Sequence, residues 1–144
     1  MDIVVREPET EPELEQYYDL RWRVLSEPWA QARESGRDEH EREAVHLTAW
    51  MDDRLVGVGR LHFNSPDQGQ IRYISVEPAC AGQGIGGRIL RALKQRAAEK
   101  NTRCIVLNGR ESALGFYRKN GYRPMDRSGR LFNSIEHWWM EKDL

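Results

Sequence analysis

Four glycines crowd into residues 82–87, between a β-rich run ending at Val76 and a stretch of helical periodicity that starts at Ile85. A glycine-rich turn entering a helix presents unpaired N–H groups at the positive end of the helix dipole, an arrangement that favours an anion. Without Cβ atoms in the way, phosphate oxygens can approach the backbone to hydrogen-bond distance. The string fits more than one phosphate pattern. Gly82 and Gly87 have the Walker spacing, but Arg88 and Ile89 stand where a lysine should reach the terminal phosphates and a hydroxyl should bind magnesium. Gly82, Gly84 and Gly87 fit the dinucleotide pattern, which also requires an early βαβ unit and an acidic ribose partner about 20 residues on. This chain offers Asn108 at the end of the following strand instead.

The elements that must hold this loop can be read from periodicity. Ile3 to Val5 is a short β-branched run stopped by Pro8. Leu14, Tyr17, Tyr18, Arg21, Val24 and Leu25 recur at three- and four-residue intervals, predicting a helix over 11–26 with the aliphatic stem of Arg21 along its core face. Pro28 interrupts it, and residues 31–43 are charge-rich, predicting a solvated loop with a short helix, although a mobile cover over a substrate pocket would have the same composition. Runs at 44–51, 55–63 and 71–76 read as three strands of a meander, the last with Ile71, Tyr73 and Ser75 on one side and Arg72, Ile74 and Val76 on the other. Ile85, Ile89, Leu90, Leu93 and Ala97 form the clearest helical stripe in the chain. A strand at 104–107, a helix at 112–120 ended by Gly121, and strands near 122–125 and 135–141 complete one α/β domain over residues 1–144.

Composition narrows the function classes. A chain of 144 residues with 39% apolar side chains encloses one good core. Its 22 Lys and Arg nearly cancel 23 Asp and Glu, which argues against a broad nucleic-acid footprint. Asp2, Arg6 and Glu7 interrupt the N-terminal segment where an export signal needs an apolar core, and no later run reaches membrane-spanning length. The expectation is a cytoplasmic protein in which Cys80 and Cys104 stay reduced. No spaced Cys and His cluster suggests a metal, and His40 and His46 read as solvated.

Taken together, the strand IRYISV, the loop AGQGIG, the helix GRILRALKQRAAE and the segment LNGRESALGFYRKNGY resemble the GNAT family of N-acetyltransferases over residues 71–122. The order of the remaining elements follows that family as well. The resemblance implies an α+β fold with a mixed, mostly antiparallel sheet flanked by helices. It also implies an acetyl-CoA-dependent N-acetyltransferase that moves the acetyl group directly to an amine. The backbone of Ile74, Ser75 and Val76 would hold the pantetheine arm, with the Val76 amide donating to the thioester carbonyl. The pyrophosphate would sit on the amides of Ala81, Gly82, Gln83, Gly84, Ile85, Gly86 and Gly87, beside Arg88. Asn108 and Phe116 would line the far side of the arm, and Tyr117 would reach the sulfur. One departure is Ala81, which stands where the family's loop carries Gln or Arg, so this loop binds with backbone alone or leans on Arg88. The segments LRWRVL and GRLFNSIEHWWMEK further resemble a bacterial subgroup related to ElaA.

Acyl transfer to an amine needs a neutral nucleophile, a polarised carbonyl, a protonated leaving sulfur and an oriented collision. Tyr117 is the acid candidate, since a phenol with a pKa near ~10 can donate to a developing thiolate. Glu27, Glu77, Glu111, Glu136, His62 and His137 can each accept a proton; Glu136 and His137 rank first because they lie in the tail that carries the subgroup resemblance. Trp22 and Trp29 are expected to shape the acceptor side, while Trp138 and Trp139 could bind a cation by their faces or seal the core. The partners are therefore acetyl-CoA and an amine acceptor, with no metal, nucleic acid or membrane, and a homodimer is left open. A module of the same fold that binds coenzyme A, or another protein, without turnover is the competing reading, motivated by Ala81 and by the absence of an obvious base.

Overall fold

The computed structural model describes residues 2–131 and 135–144. Among these, seven strands form one sheet: β1 (Ile3–Arg6), β2 (Val45–Met51), β3 (Arg54–Ser65), β4 (Gln68–Val76), β5 (Cys104–Arg110), β6 (Arg123–Leu131) and β7 (Ile135–Asp143). Their spatial order is β1-β2-β3-β4-β5-β7-β6. The meander at β2–β3–β4 is antiparallel as expected, and β4 and β5 form the parallel pair. The tail folds back so that β7 lies between β5 and β6.

Three helices flank the sheet: α1 (Glu11–Leu25), α2 (Ile85–Glu99) and α3 (Leu114–Lys119). Thr10 caps α1 by accepting the Glu13 amide at 3.2 Å, and the helix closes on the Ser26 amide donating to the Trp22 carbonyl, just ahead of Pro28. The stripe of α2 is buried as its period predicts: Ile85, Ile89, Leu90, Leu93 and Ala97 pack with Leu61, Ile71, Ile105 and Leu107 of the sheet. On the opposite face α1 buries Tyr17 and Leu20 against Trp50, Leu55 and Val58. No helix among the described residues is long and apolar enough to cross a membrane.

Strand β4 departs from simple alternation. Val58 pairs with Ser75 and Arg60 with Arg72, so one residue of β3 opposes both Tyr73 and Ile74. Tyr73 takes φ 63°, a left-handed conformation that costs an aromatic residue energy and marks a β-bulge. The expected division of the strand is corrected accordingly. Ile71, Ile74 and Val76 pack into the α2-side core, whereas Arg72 and Tyr73 face the guanidinium groups under α1. The extra residue shifts the parity of everything after it, an effect that residue types alone do not reveal.

The α1 face carries a second correction. Arg21 does more than lay an aliphatic stem on the core. It is buried whole, paired with Glu41 at 2.8 Å, donating to the Gly36 carbonyl and lying 3.6 Å from the centre of the Tyr73 ring. Arg60, fully buried on β3, forms two bonds to Asp38 at 2.6 and 2.9 Å and one to Glu41 at 2.7 Å; Arg72 also reaches Asp38 at 2.6 Å. Asp38 and Glu41 belong to residues 31–43, expected to be merely solvated. Their carboxylates instead satisfy guanidinium groups that cannot reach bulk water, so the segment is pinned to the sheet. The histidines follow: His46 bonds the Tyr17 hydroxyl at 2.7 Å, and His40 stacks on His62 with ring centres 4.0 Å apart.

Candidate active site

The site begins where the sheet opens. Parallel pairing of β4 with β5 runs from Gln68 opposite Cys104 to Ile71 opposite Leu107 and stops there. Beyond it β4 continues to Val76 and β5 to Arg110, so the edge of β4 over residues 72–76 that faces β5 carries no partner strand. The bulge at Tyr73 sits at the start of this unpaired edge. Backbone N–H and C=O groups left there seek a hydrogen-bonding ligand of extended shape.

Strand β4 delivers the chain to the glycine loop. A short 3-10 turn (Pro78–Cys80) leads to Gly82 and Gly84, both left-handed at φ 81° and 80°. Gly84 is the N-cap of α2, and the Arg88 amide is the first to bond back, to the Gly84 carbonyl at 3.2 Å. The amides of Ile85, Gly86 and Gly87 therefore have no acceptor within the helix. A Cβ on Gly82 or Gly84 would meet nothing within 4 Å, so these two glycines serve backbone conformation and leave open space in front of the helix end. Gly86 is glycine for another reason: a Cβ there would stand 2.9 Å from Cζ of Phe116. Phe116 thus covers the first turn of α2. Ala81 and Gln83 are exposed along with the loop, and Arg88, also exposed, lines a separate shallow depression with Arg91.

A cavity of about 400 Å³ occupies the gap between the parted strands. Arg72, Tyr73 and Ile74 of β4 line one side, Asn108 and Arg110 of β5 the other. Tyr117 comes from α3, His137 from β7, and Leu25, Ser26, Ser35 and Gly36 from the end of α1 and the segment after it. Burial pushes the Tyr117 phenol up to about 12, against the pull of the Arg110 charge, so it stays protonated across the physiological range. His137 lies directly opposite Arg110 on the neighbouring strand. Its Nδ1 lies 3.0 Å from the Ile135 carbonyl; donation there leaves Nε2 with a lone pair. Burial lowers its pKa, the bond to Ile135 opposes that, and the nearby Arg110 and Arg72 charges lower it further. The ring is held neutral and able to accept a proton.

Of the sequence candidates, Ile74, Asn108, Tyr117 and His137 meet in this cavity, next to the glycine loop that follows β4. Glu136 alternates to the other face of β7 and is not among the lining residues. Nor are Glu27, Glu77, Glu111 and His62: Glu77 pairs with Arg23 at 2.7 Å, and His62 is buried between Arg60 and Asn64. Trp22 and Trp29 do not line it either. Trp22 donates to the Gln31 carbonyl at 2.9 Å and carries Arg33 over its ring, which fastens the segment after α1, and Trp29 lies behind Arg110, 5.0 Å from its guanidinium. Sequence reading passed over Arg72, Tyr73, Arg110, Ser26 and Ser35. Only Arg110 had a local signal, its place two residues after Asn108 at the end of a strand.

A sheet parted at its parallel pair, with a glycine-lined helix N-terminus beside the opening and a phenol inside it, has the shape and polarity of a site for an extended, anion-bearing molecule. The acetyltransferase (GNAT) family model matches residues 14–122, and the chain belongs to that family. The N-acetyltransferase YjcF of Bacillus subtilis, itself uncharacterized, is 30% identical over 133 residues, covering 92% of this chain and 94% of YjcF. Among solved structures, the PaiA N-acetyltransferase of Thermoplasma acidophilum in complex with coenzyme A superposes with a TM-score of 0.78 at 19% identity over all of both chains. Escherichia coli ElaA superposes with a TM-score of 0.80 at 15% identity over 98% of each.

Proposed function

We propose that this chain transfers an acetyl group from acetyl-CoA directly to an amine, by attack of the amine nitrogen on the thioester carbonyl with loss of the thiol. The observation that carries the reading is the unpaired edge of β4 beside the open N-terminus of α2. An extended arm fits along Ile74, Ser75 and Val76, and its pyrophosphate on the amides over residues 82–87. Ala81 contributes backbone only, and Arg88 supplies the nearest basic side chain of the loop. Asn108 faces the arm from β5, and Phe116 supports the helix end that grips it. Family membership and the coenzyme A bound by PaiA support this assignment.

Within the cavity, His137 takes the proton that the acceptor ammonium must lose and releases it to solvent, while Tyr117 gives one to the departing sulfur and is restored by the second proton that the nitrogen loses as the amide forms. The Val76 amide is the donor assigned to the carbonyl oxygen as charge develops there. Ser26, Ser35 and Arg110 form the acceptor wall, with Trp29 behind Arg110 and Trp22 fixing the segment that bears Ser35. Glu136, which does not line the cavity, is given no direct part in the transfer. Placement near ElaA rests on the first helix and the tail. The test is a calorimetric titration with acetyl-CoA and a release assay for free CoA over a panel of amines. Gly84→Glu should abolish binding, because it places carbon and negative charge in the open space before the helix end. A folded protein that binds no acetyl-CoA at millimolar concentration would overturn the proposal.

A further inference from the structure

The charges around the cavity are unbalanced. Arg110 is half-buried, donates one bond to the Leu25 carbonyl at 3.0 Å, and lies against Trp29 and near Tyr117. No carboxylate among the described residues forms an ion pair with it, and burial lowers its pKa, opposed by the Tyr117 phenol and by no carboxylate. Among the described residues the cavity lining contains no Asp or Glu. On the facing wall, Arg21, Arg60 and Arg72 share only Asp38 and Glu41, three guanidiniums for two carboxylates. Arg72, the member that lines the cavity, keeps 40% of its side chain exposed. A desolvated guanidinium without a counterion is costly and is relieved by an anion that enters with the ligand.

Resting on the acetyltransferase reading, we infer that the acceptor is a small amine that carries a carboxylate, with the carboxylate on Arg110 and the amine at His137. The two residues are cross-strand partners, and directly opposite side chains on a sheet lie about 5 Å apart at Cβ. An amine separated from its carboxylate by one or two carbons, with a hydrogen bond at each end, is of a size to meet two residues so paired. Polyamines are disfavoured by the same field, since they would add positive charge to a site that already holds an excess.

The experiment compares matched pairs in the CoA-release assay: L-methionine with L-methioninamide, and β-alanine with 3-aminopropionamide, with spermidine as the cationic acceptor. The free acid should exceed its carboxamide by roughly 10- to 100-fold in kcat/KM, the range for one charge-assisted bond. Arg110→Gln should erase that ratio, chiefly through KM, and Arg110→Lys should keep part of it as a point charge. Acetyl-CoA affinity by calorimetry reports that each variant is folded. Equal or better turnover of the carboxamides or of spermidine overturns the inference, as does a preference that survives Arg110→Gln. If no amine is acetylated and acetyl-CoA does not bind, the transferase reading falls separately. Calorimetric titration of L-methionine against L-methioninamide then decides the anion site: tighter binding of the acid supports it and equal binding overturns it.

Discussion

Replacing Asp38 with alanine tests whether the buried charge cluster holds the segment after α1 in place. Arg60 has no exposed surface and directs three bonds at carboxylates, two to Asp38 at 2.6 and 2.9 Å and one to Glu41 at 2.7 Å. Removing Asp38 leaves Arg21 and Arg60 to share Glu41 and takes from Arg72 its carboxylate partner. Breaking a buried pair from one side strands its partner's charge, and the usual cost is about 3–5 kcal/mol. Whole-domain stability is about 5–15 kcal/mol, so the variant should lose a large part of it. With a slope of about 1–3 kcal/mol per molar urea, the midpoint should fall by about 1 M or more. The control is Arg123→Ala, whose exposed contacts to Glu141 and Asp143 at 3.8 and 3.4 Å are worth about 0–1 kcal/mol. Adding Arg60→Met to Asp38→Ala removes the stranded charge and should recover part of the loss. A decrease below about 1 kcal/mol for Asp38→Ala, matching the surface control, would refute the account. The acid limb gives a second check. Arg60 and Arg72 hold the Asp38 carboxyl well below the ordinary range despite its partial burial. The unfolded chain therefore binds the proton first on acidification. The stabilisation is complete above about pH 4 and fades as pH falls below it, and Asp38→Ala should flatten that dependence.

Gly86→Ala would set a Cβ 2.9 Å from Cζ of Phe116, so α2 and α3 must part; a loss of about 1–3 kcal/mol in urea unfolding is expected, together with weaker acetyl-CoA binding. Tyr117→Phe should lower kcat by about 100-fold or more while the acetyl-CoA dissociation constant stays within a few-fold, read by steady-state kinetics beside calorimetry. Unchanged kcat would remove Tyr117 as the acid. Because the folded His137 pKa lies below the usual 6.5, kcat/KM should hold through neutral pH and fall only below that value as the ring protonates. His137→Gln should abolish this limb, and a limb that persists assigns the proton acceptor elsewhere.

The helical stripe of α2 and the three-strand meander were legible because each depends on local period. Ile85, Ile89, Leu93 and Ala97 are buried as their spacing demands. The glycine loop was legible too, since left-handed φ and an open helix end leave a mark in residue type at Gly82 and Gly84. The tryptophans were ambiguous, because a large aromatic suits a pocket and a fastening equally well, and Trp22 fastens the segment after α1 by donating to the Gln31 carbonyl. Residues 31–43 misled for a related reason. A run of charge looks the same whether its carboxylates meet water or the buried guanidiniums of Arg21 and Arg60.

From the sequence alone came the strand, loop and helix that can hold a phosphate, and Tyr117 and His137 among the groups that can move a proton. Tertiary structure decided what they surround. The parting of β4 from β5, the left-handed Tyr73 that re-aims β4, and the insertion of β7 that sets His137 opposite Arg110 all depend on pairings between distant segments. Such pairings follow from which arrangement buries the most apolar surface at the least cost in buried charge. That is a property of the assembled sheet, and no window of neighbouring residues contains it.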